Sequence, residues 1–253
     1  MIPASVGFQC PECVRNEPVP QPKVTTPVGG ARVEKPYVTY VLIAINVLLF
    51  AFSFTNGIDQ VAQDYGMFPP AIAVNGEYWR LLSSAFLHGS MLHILFNMYV
   101  LFVIGQALER ILGHVRYSIL FIVAALGGAV ASYAFSDVLT VSVGASGAIF
   151  GLMGALIVAG KRLRWDITQV LVLLGVNVVI GFLSPDVDWR AHFGGLVIGA
   201  LVAAVFVWTP PPFRSVRGLW QTLGVLAILG ALVAVTMWRT GQLWTMLAPL
   251  GVG

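Results

Sequence analysis

Long apolar runs separated by short polar segments dominate the chain. The first run, YVLIAINVLLFAFSF, starts near Val38. Further runs lie at about 91–108, 115–135, 145–160, 168–184, 190–208 and 218–238. Most of them approach the ~20 residues that a helix needs to cross a ~30 Å hydrocarbon core. The pattern therefore predicts an all-α polytopic membrane protein with seven transmembrane helices.

The fourth run is the exception in length. From Ser146 to Gly160 it has only 15 residues, which make roughly 22 Å of helix. We therefore expect this helix to begin below the membrane surface.

The segment that precedes the first run differs in composition. Residues 1–36 are polar and proline-rich, with Pro18, Pro20, Pro22 and Pro27 closely spaced, so we expect a flexible tail with no core. No signal peptide is expected before the first run. The predicted organisation is a tail at 1–36, a six-helix core at 37–208, and a linker, seventh helix and C-terminus at 209–253.

Composition and charge support this assignment and predict an orientation. The chain is 58% hydrophobic and only 10% charged, whereas soluble domains carry roughly 25% charged residues. If the tail is cytoplasmic, eleven basic residues fall on the cytoplasmic side and three fall outside, namely Arg80, Arg190 and Arg239. This positive-inside bias predicts a cytoplasmic N-terminus and an extracytoplasmic C-terminus, and we expect the protein in the cell (inner) membrane. We attribute the net charge of +3 to basic residues that set the membrane orientation. We therefore expect the lipid bilayer as a partner and no nucleic acid.

This orientation puts a loop of about 35 residues outside, from Thr55 to Ser90. The loop contains EYWRLLSSAFLH, an amphipathic, aromatic-rich piece that could lie in the membrane interface. The start of the fourth helix and the first turn of the sixth also face the outside.

Polar residues inside transmembrane segments are costly and are functional candidates. His93 and Asn97 are four residues apart and share one helix face. Taken alone, this pair could be structural or functional, but with other polar residues at one membrane depth a function is favoured. We interpret Asn46 and Asn177 as packing or interhelical hydrogen-bonding residues. The full set is Asn46, His93, Asn97, Ser146, Asn177 and His192.

Ser146 lies in the stretch SVGASGAIFGLMG, at the predicted start of the fourth helix. The unpaired N–H groups and the dipole of a helix N-terminus would stabilise an oxyanion, as acyl transfer requires. Gly144 and Gly147 allow a tight turn and the close approach of a substrate backbone. Because a serine alone is a weak nucleophile, it needs a base.

His192 is the best candidate for that base. It is followed by Gly195-x-x-x-Gly199, and the fourth helix carries Gly147-x-x-x-Gly151 and then Gly154. Such small-residue patterns let two helices pack closely, which would bring Ser146 and His192 within hydrogen-bonding reach. The alternative interpretation is packing alone, which is the commoner meaning of a glycine–serine run in a membrane helix.

These residues resemble a known family. The ordered segments WR at 79–80, HGSMLHILFN at 88–97, GASG at 144–147 and AHFGGLVIG at 191–199 are similar to the rhomboid family of intramembrane serine proteases, over residues 38–208. The resemblance implies a dyad with Ser146 as nucleophile and His192 as general base. It also implies oxyanion donors at His93 and Asn97, no cofactor, and single-span transmembrane substrates cleaved near their extracytoplasmic boundary.

The resemblance implies further structural roles. Trp79 and Arg80 would belong to the interfacial loop, and Glu109 with Arg110 would form a structural pair. Where the family often has tyrosine, this chain has Phe150, whose ring can still stack on His192. Because the family uses a dyad, we expect Asp188 to lie in a surface loop and not to complete a triad.

The tail carries a CPEC motif at Cys10–Cys13. Tetrahedral zinc needs four ligands, and the sequence has no other cysteine, so the site is incomplete. The motif resembles half of a zinc ribbon found ahead of some bacterial rhomboid domains, and we expect its missing ligands to precede Met1 in a longer protein. In this chain we expect no bound zinc, or weak or intermolecular binding only.

Two other functions compete with proteolysis. A rhomboid-like pseudoprotease would bind transmembrane helices without cleaving them, but both Ser146 and His192 are present. A transporter could use its histidines to bind a metal or relay protons, but the acidic residues fall at loops or helix ends. The sequence leaves the oligomeric state open.

Overall fold

The computed structural model is almost entirely helical, and it describes residues 2–3, 7–12, 26, 33–183, 187–209 and 215–247. The prediction of an all-α polytopic fold is confirmed. The longer helices are α1 (Tyr37–Asn56), α5 (Met91–Leu112), α6 (His114–Phe135), α7 (Ser146–Leu163), α8 (Thr168–Leu183), α9 (Trp189–Val207) and α10 (Arg217–Leu247). Between α1 and α5 lie α2 (Ile58–Tyr65), α3 (Pro69–Ala73), α4 (Arg80–Ser83) and a 3₁₀ turn at Ser84–Phe86.

Six of the seven predicted spans correspond to helices that are long and apolar enough to cross a membrane. The fifth predicted span corresponds to α8, which has only 16 residues and is therefore roughly 24 Å long. The short apolar helix of this bundle is thus α8 and not the fourth run.

The prediction of a short fourth helix is wrong. Helix α7 has 18 residues, or roughly 27 Å, because it continues through Lys161 and Arg162 instead of stopping at Gly160. Two cations in the last turn suit the negative end of the helix dipole. The helix ends at Arg164, which adopts a left-handed conformation with φ of 58°.

The last helix is also longer than its apolar run. Helix α10 has 31 residues and continues past the predicted end at 238. The polar residues beyond that point have partners on α6. Thr240 Oγ1 and Tyr133 Oη are 2.8 Å apart, and Arg239 donates to the carbonyls of Tyr133 and Ser136 at 3.3 Å each. Because these groups are satisfied, they do not end the helix.

Part of the predicted flexible tail has regular structure. Strands β1 (Ile2–Pro3) and β2 (Phe8–Gln9) form an antiparallel ladder. Cys10 follows this ladder and is exposed, whereas Cys13 lies outside the described residues. Within those residues, no group of three or more His, Cys, Asp and Glu side chains could hold a metal ion.

Helices α6, α7 and α9 pack most closely against one another and form the central group of the bundle. Within this group α6 and α7 are the most buried, whereas α9 is 33% buried. Of the most apolar 18 residues of each helix, 67% are buried in α6 and 61% in α7, against 11% in α10. Two membrane helices are buried to this extent only when other helices surround them. The predicted nucleophile therefore begins a central helix.

Glycines make the contact between α7 and α9 very close, as predicted. A Cβ atom on Gly195 would overlap the carbonyl oxygen of Gly147, and one on Gly199 would overlap that of Gly151. Gly154 faces the Leu196 carbonyl in the same way. Because each position leaves no room for a methyl group, the two backbones touch along this seam.

Helix α6 uses glycines that the sequence analysis did not single out. A Cβ on Gly128 would lie 2.8 Å from the Ala191 carbonyl oxygen and 3.1 Å from Gly147 Cα. One residue earlier, a Cβ on Gly127 would lie 2.6 Å from Ile198. The three central helices therefore meet next to Ser146 and His192.

The segment EYWRLLSSAFLH is partly buried in the bundle and partly exposed. Leu81, Ala85 and His88 are buried, and Trp79 is half exposed and carries the Arg80 guanidinium 5.0 Å from its ring centre. Arg80 also pairs with Glu77 at 2.5 Å and donates to two loop carbonyls. The pair Trp79 and Arg80 thus organises this loop.

Glu109 has partners other than Arg110. Its fully buried carboxylate accepts hydrogen bonds from the backbone N–H groups of Val38 and Thr39 at 2.9 and 2.8 Å, and from the Thr39 hydroxyl at 2.7 Å. It also contacts His114 Nδ1 at 2.5 Å. Arg110 is exposed, and no ion pair joins it to Glu109 within the described ranges. The expected structural pair is therefore replaced by a cap on the first turn of α1.

Candidate active site

Ser146 is the first residue of α7 and is half-buried. The preceding residue, Ala145, is fully buried, and its carbonyl accepts from the N–H of Ile149 at 3.0 Å. The N–H groups of the first turn, including that of Ser146 itself, have no partner within the helix. They create a positive environment next to the hydroxyl.

The chain leading to Ser146 is fixed by neighbouring backbone. Ser142 and Met67 exchange two backbone hydrogen bonds of 3.0 Å, and the N–H of Gly144 donates to the Ser84 carbonyl at 2.9 Å. Gly144 has φ of +138°, a conformation that favours glycine. The turn before the predicted nucleophile therefore depends on a residue without a side chain.

Gly144 also gives His93 its place beside Ser146. A Cβ on Gly144 would lie 2.9 Å from His93 Nε2 and 3.4 Å from Ser146 Oγ. Both atoms are thus within 3.4 Å of one point. The structure brings the predicted nucleophile and one predicted oxyanion donor together over this glycine.

Asn97 lies one turn after His93 on α5 and is buried. Its Nδ2 atom is fully covered and has no hydrogen-bond partner among the described residues. A buried amide that lacks a partner is costly, so this donor is unused within the described residues.

His88 was not singled out from the sequence, although it is next to the predicted site. Its ring is 1% exposed and lies edge-on to His93, with ring centres 5.1 Å apart. Burial, and secondarily the neighbouring His93, lowers the pKa of His88 to about 3. The imidazole is therefore neutral near pH 7 and supports His93 by packing.

His192 is half-buried in the first turn of α9 and packs against Phe150. The two rings are stacked, with centres 4.1 Å apart and planes at 13°, so the phenylalanine gives the aromatic contact without a hydroxyl. In the part of the chain that the structure describes, no hydrogen bond joins the Ser146 hydroxyl to His192. Such bonds are often long or poorly aligned in the absence of substrate.

A mostly apolar cavity of about 360 Å³ opens beside the two stacked rings. It lies between α8 and α9, and Gly181 of α8 approaches His192 Nδ1. The lining residues are Phe150, Val178, Gly181, Trp189, His192, Phe193 and Leu196. One wall of the cavity thus contains the predicted base.

The expectation from the sequence that Asp188 lies in a surface loop is wrong. Asp188 is the half-buried N-cap of α9 and accepts hydrogen bonds from the N–H groups of Arg190 and Ala191. Its other oxygen accepts from the hydroxyls of Ser132 and Ser142. The N–H of His192 donates to the Asp188 backbone carbonyl at 3.3 Å, but within the described residues the Asp188 carboxylate makes no hydrogen bond to the His192 ring.

The two remaining candidates from the polar set lie away from this site. Asn46 donates to the Leu42 carbonyl at 2.7 Å, and Asn177 donates to the Leu173 carbonyl at 2.8 Å. Each bond stays within its own helix, so the interhelical bonding considered for them does not form through these amide donors.

Comparison with known proteins identifies related sequences. Residues 75–209, more than half of the chain, match the family model described as the Rhomboid domain. The rhomboid protease GluP of Bacillus subtilis (strain 168) is 35% identical over 178 residues, which are 67% of this chain and 35% of GluP. RHOMBOID-like protein 5 of Arabidopsis thaliana is 39% identical over 144 residues, 53% of this chain and 46% of that protein.

A third relative is matched over most of its length. The rhomboid protease AarA of Providencia stuartii is 27% identical over 236 residues, which cover 81% of this chain and 83% of AarA. By contrast, the chain spans less than half of GluP and of the plant protein. The similarity is therefore to their rhomboid portions.

Proposed function

The chain belongs to the rhomboid family and is related to proteases that act within membranes, and on that premise we propose that it is a serine endopeptidase. Ser146 is the nucleophile, and His192 is the general base and then the general acid. One observation carries this proposal: Ser146 at a helix N-terminus and His192 on a neighbouring helix lie at the same end of the glycine seam between α7 and α9.

The chemistry uses groups of the chain and water. Ser146 Oγ attacks the scissile carbonyl carbon while His192 accepts the hydroxyl proton, giving a tetrahedral oxyanion. His192 then donates that proton to the leaving amine, and an acyl-enzyme remains. Water attacks the ester and gives its proton to His192, which returns it to Ser146 Oγ as the acid product leaves. No step needs a cofactor.

Oxyanion stabilisation supports the same assignment. The His93 ring and the start of α7 at Ser146 lie beside Gly144, and the Asn97 amide, one turn after His93 on α5, has no hydrogen-bond partner among the described residues. Donors fixed in advance and shielded from water are among the strongest contributors to acyl-transfer catalysis. His93 and Asn97 are therefore proposed as oxyanion donors.

The proposed substrates are single-span transmembrane proteins in the bilayer. The cavity between α8 and α9 has His192 in its wall, and its apolar lining suits side chains from a transmembrane segment. The amides of such a helix are already hydrogen-bonded, so it must unwind locally before attack. We propose that the substrate is cleaved near the extracytoplasmic boundary of the membrane. The enzyme is proposed to lie in the inner membrane of the cell, with its N-terminus in the cytoplasm.

The second candidate is a rhomboid-like pseudoprotease that binds transmembrane helices without cutting them. The missing hydrogen bond between Ser146 and His192 in the described residues is the observation that favours it. Labelling of the serine by an electrophile separates the two functions, because only an activated hydroxyl reacts.

The test is cleavage of a panel of single-span proteins in liposomes, together with labelling by a fluorophosphonate probe. We expect wild type to cleave and label, and Ser146→Ala and His192→Ala to lose both activities. Ser118→Ala is the matched control, since within the described residues its hydroxyl bonds the His114 carbonyl alone, at the start of α6 and away from Ser132. Helix binding by wild type without cleavage or labelling would support the pseudoprotease. Equal cleavage by Ser146→Ala would refute the dyad.

A further inference from the structure

Asp188 joins three segments of the chain: the start of its own helix α9 and two segments that are far from it in sequence. Its Oδ1 atom caps α9 by accepting from the N–H groups of Arg190 and Ala191 at 3.1 and 3.3 Å. Its Oδ2 atom accepts from the Ser142 hydroxyl at 2.7 Å and from the Ser132 hydroxyl. One carboxylate thus holds the helix of His192, the segment before Ser146 and the last turns of α6.

Each of these connections bears on the proposed dyad. Ser142 lies four residues before Ser146, and the intervening backbone is already fixed by the pairing with Met67 and the bond from Gly144 to Ser84. His192 lies one turn after Asp188 on α9. Moving Asp188 relative to Ser142 therefore moves the nucleophile relative to the base.

The third connection is itself rigid. Ser132 is fully buried, and its carbonyl accepts from the Ser136 hydroxyl at 2.6 Å. Arg239 of α10 donates to the Ser136 carbonyl at 3.3 Å. The Ser132 hydroxyl that bonds Asp188 thus lies at the end of α6, which α10 also stabilises through Arg239.

We propose that Asp188 is a positioning residue that aligns Ser146 with His192 by joining their two segments, and this rests on the proposed protease function. The Asp188 carboxylate does not contact the reacting atoms and does not act as the third member of a triad. All four of its bonds go to backbone N–H groups or serine hydroxyls, and none goes to His192 within the described residues. Its removal loosens the alignment and leaves the substrate-binding cavity intact.

The first test compares Asp188→Ala with Asp188→Asn in the liposome assay. We expect the alanine variant to lose about 10- to 100-fold in kcat, as a small misplacement of catalytic groups does, with KM nearly unchanged. Asparagine is as good an N-cap as aspartate, and its amide can still bond both hydroxyls, so Asp188→Asn should stay within about threefold of wild type. An asparagine variant as poor as the alanine variant would overturn the proposal, because the charge and not the geometry would then matter.

The second test is a double-mutant cycle between Asp188→Ala and Ser142→Ala. Ser142→Ala keeps the carboxylate and the fold but opens the connection, and we expect a loss of about threefold. If the two residues act through one contact, the double variant is no slower than Asp188→Ala alone. Multiplicative losses would refute the positioning role.

Asp166→Ala is the matched control. Asp166 also accepts a hydrogen bond at the start of a helix, from the N–H of Thr168 at 2.8 Å, but its helix is α8 and it does not contact the nucleophile segment. We expect its kcat to match that of wild type. An inactive wild-type enzyme would refute the protease assignment itself, whereas an active wild type with an equally active Asp188→Ala would refute only the positioning role.

Discussion

Helices α7 and α8 lie on the two sides of His192, and they pack against its helix, α9, in opposite ways. On one side, α7 and α9 meet through glycines with no space between their backbones, and eleven residues of α7 are buried. On the other side, α8 has no buried residue between Thr168 and Val179, and a cavity separates it from α9. The proposed catalytic groups are thus attached to the closely packed pair, which we call the rigid pair, whereas α8 packs loosely beside it.

The largest expected effect comes from adding one methyl group to the rigid pair. Gly195→Ala places a Cβ against the Gly147 carbonyl, with Gly147 Cα 3.0 Å away, so the helices must separate. We expect unfolding in detergent to need about 1–3 kcal/mol less free energy. Cleavage should fall by about 100-fold or more, because the dyad spans this contact.

The matched control for Gly195→Ala lies on α8. Apart from Gly175, its chain neighbours and the backbone of its own helix, no atom of the described residues lies within 4 Å of the position of a Cβ on Gly175, and alanine is the better helix former. Gly175→Ala should therefore keep full activity and stability. If thermal unfolding and cleavage changed equally in the two variants, the contrast between the helices would be wrong.

The next effect concerns the turn before the nucleophile. Gly144→Ala strains a residue at φ of +138° and pushes a Cβ to 2.8 Å from His93. We expect kcat to fall by about 100-fold, with a smaller loss of thermal stability than in Gly195→Ala. Gly76→Ala separates the two causes, because Gly76 has φ of +73° but open space around it. A similar loss of activity in Gly76→Ala would show that strain alone is responsible.

A smaller effect is expected where the rigid pair holds the base. Phe150→Leu removes the ring that stacks on His192 at 4.1 Å. An aromatic pair contributes about 1 kcal/mol beyond its burial, so kcat should fall by about fivefold. Phe150→Tyr keeps the ring and should retain nearly full activity. Equal kcat values for the leucine and tyrosine variants would show that stacking on His192 does not contribute to activity.

The smallest effect is expected on α8. Val178 lines the cavity, and Val178→Trp should raise KM by about threefold for substrates with bulky residues near the cut, with stability unchanged. Val176→Trp is the control, since Val176 is exposed and does not line the cavity. A drop in kcat or in unfolding temperature for Val178→Trp would mean that α8 belongs to the rigid part.

Much of the architecture could be predicted because lipid imposes simple rules. Apolar runs predicted the helices, and the start of α6 was predicted to within one residue, whereas α5 continues to Leu112, four residues past its predicted end, and stops at Gly113. The ends of α7 and α10 were misjudged because Lys161 and Arg239 were read as boundaries. In the structure, the first complements a helix dipole and the second bonds carbonyls of α6.

The site was predictable only in part, for a related reason. A motif such as GASG can be recognised in the sequence. By contrast, Ser142 and Ser132 lie 46 and 56 positions before Asp188, so these three residues form no local pattern. Gly127 and Gly128 were missed because two glycines inside a long apolar run have no periodic signal. A hydroxyl or a glycine reveals its role only when its neighbour on another helix is known.

The bonds from Arg239 to α6 have a consequence for how the chain is made. They join residues 106 and 103 positions apart, and domains generally form from the N-terminus during synthesis. Until the ribosome has added the last helix, the end of α6 that supports Ser132 lacks this partner. The end of α6 that bonds Asp188 through Ser132 therefore gains this support only after α10 has been synthesised and has packed against it.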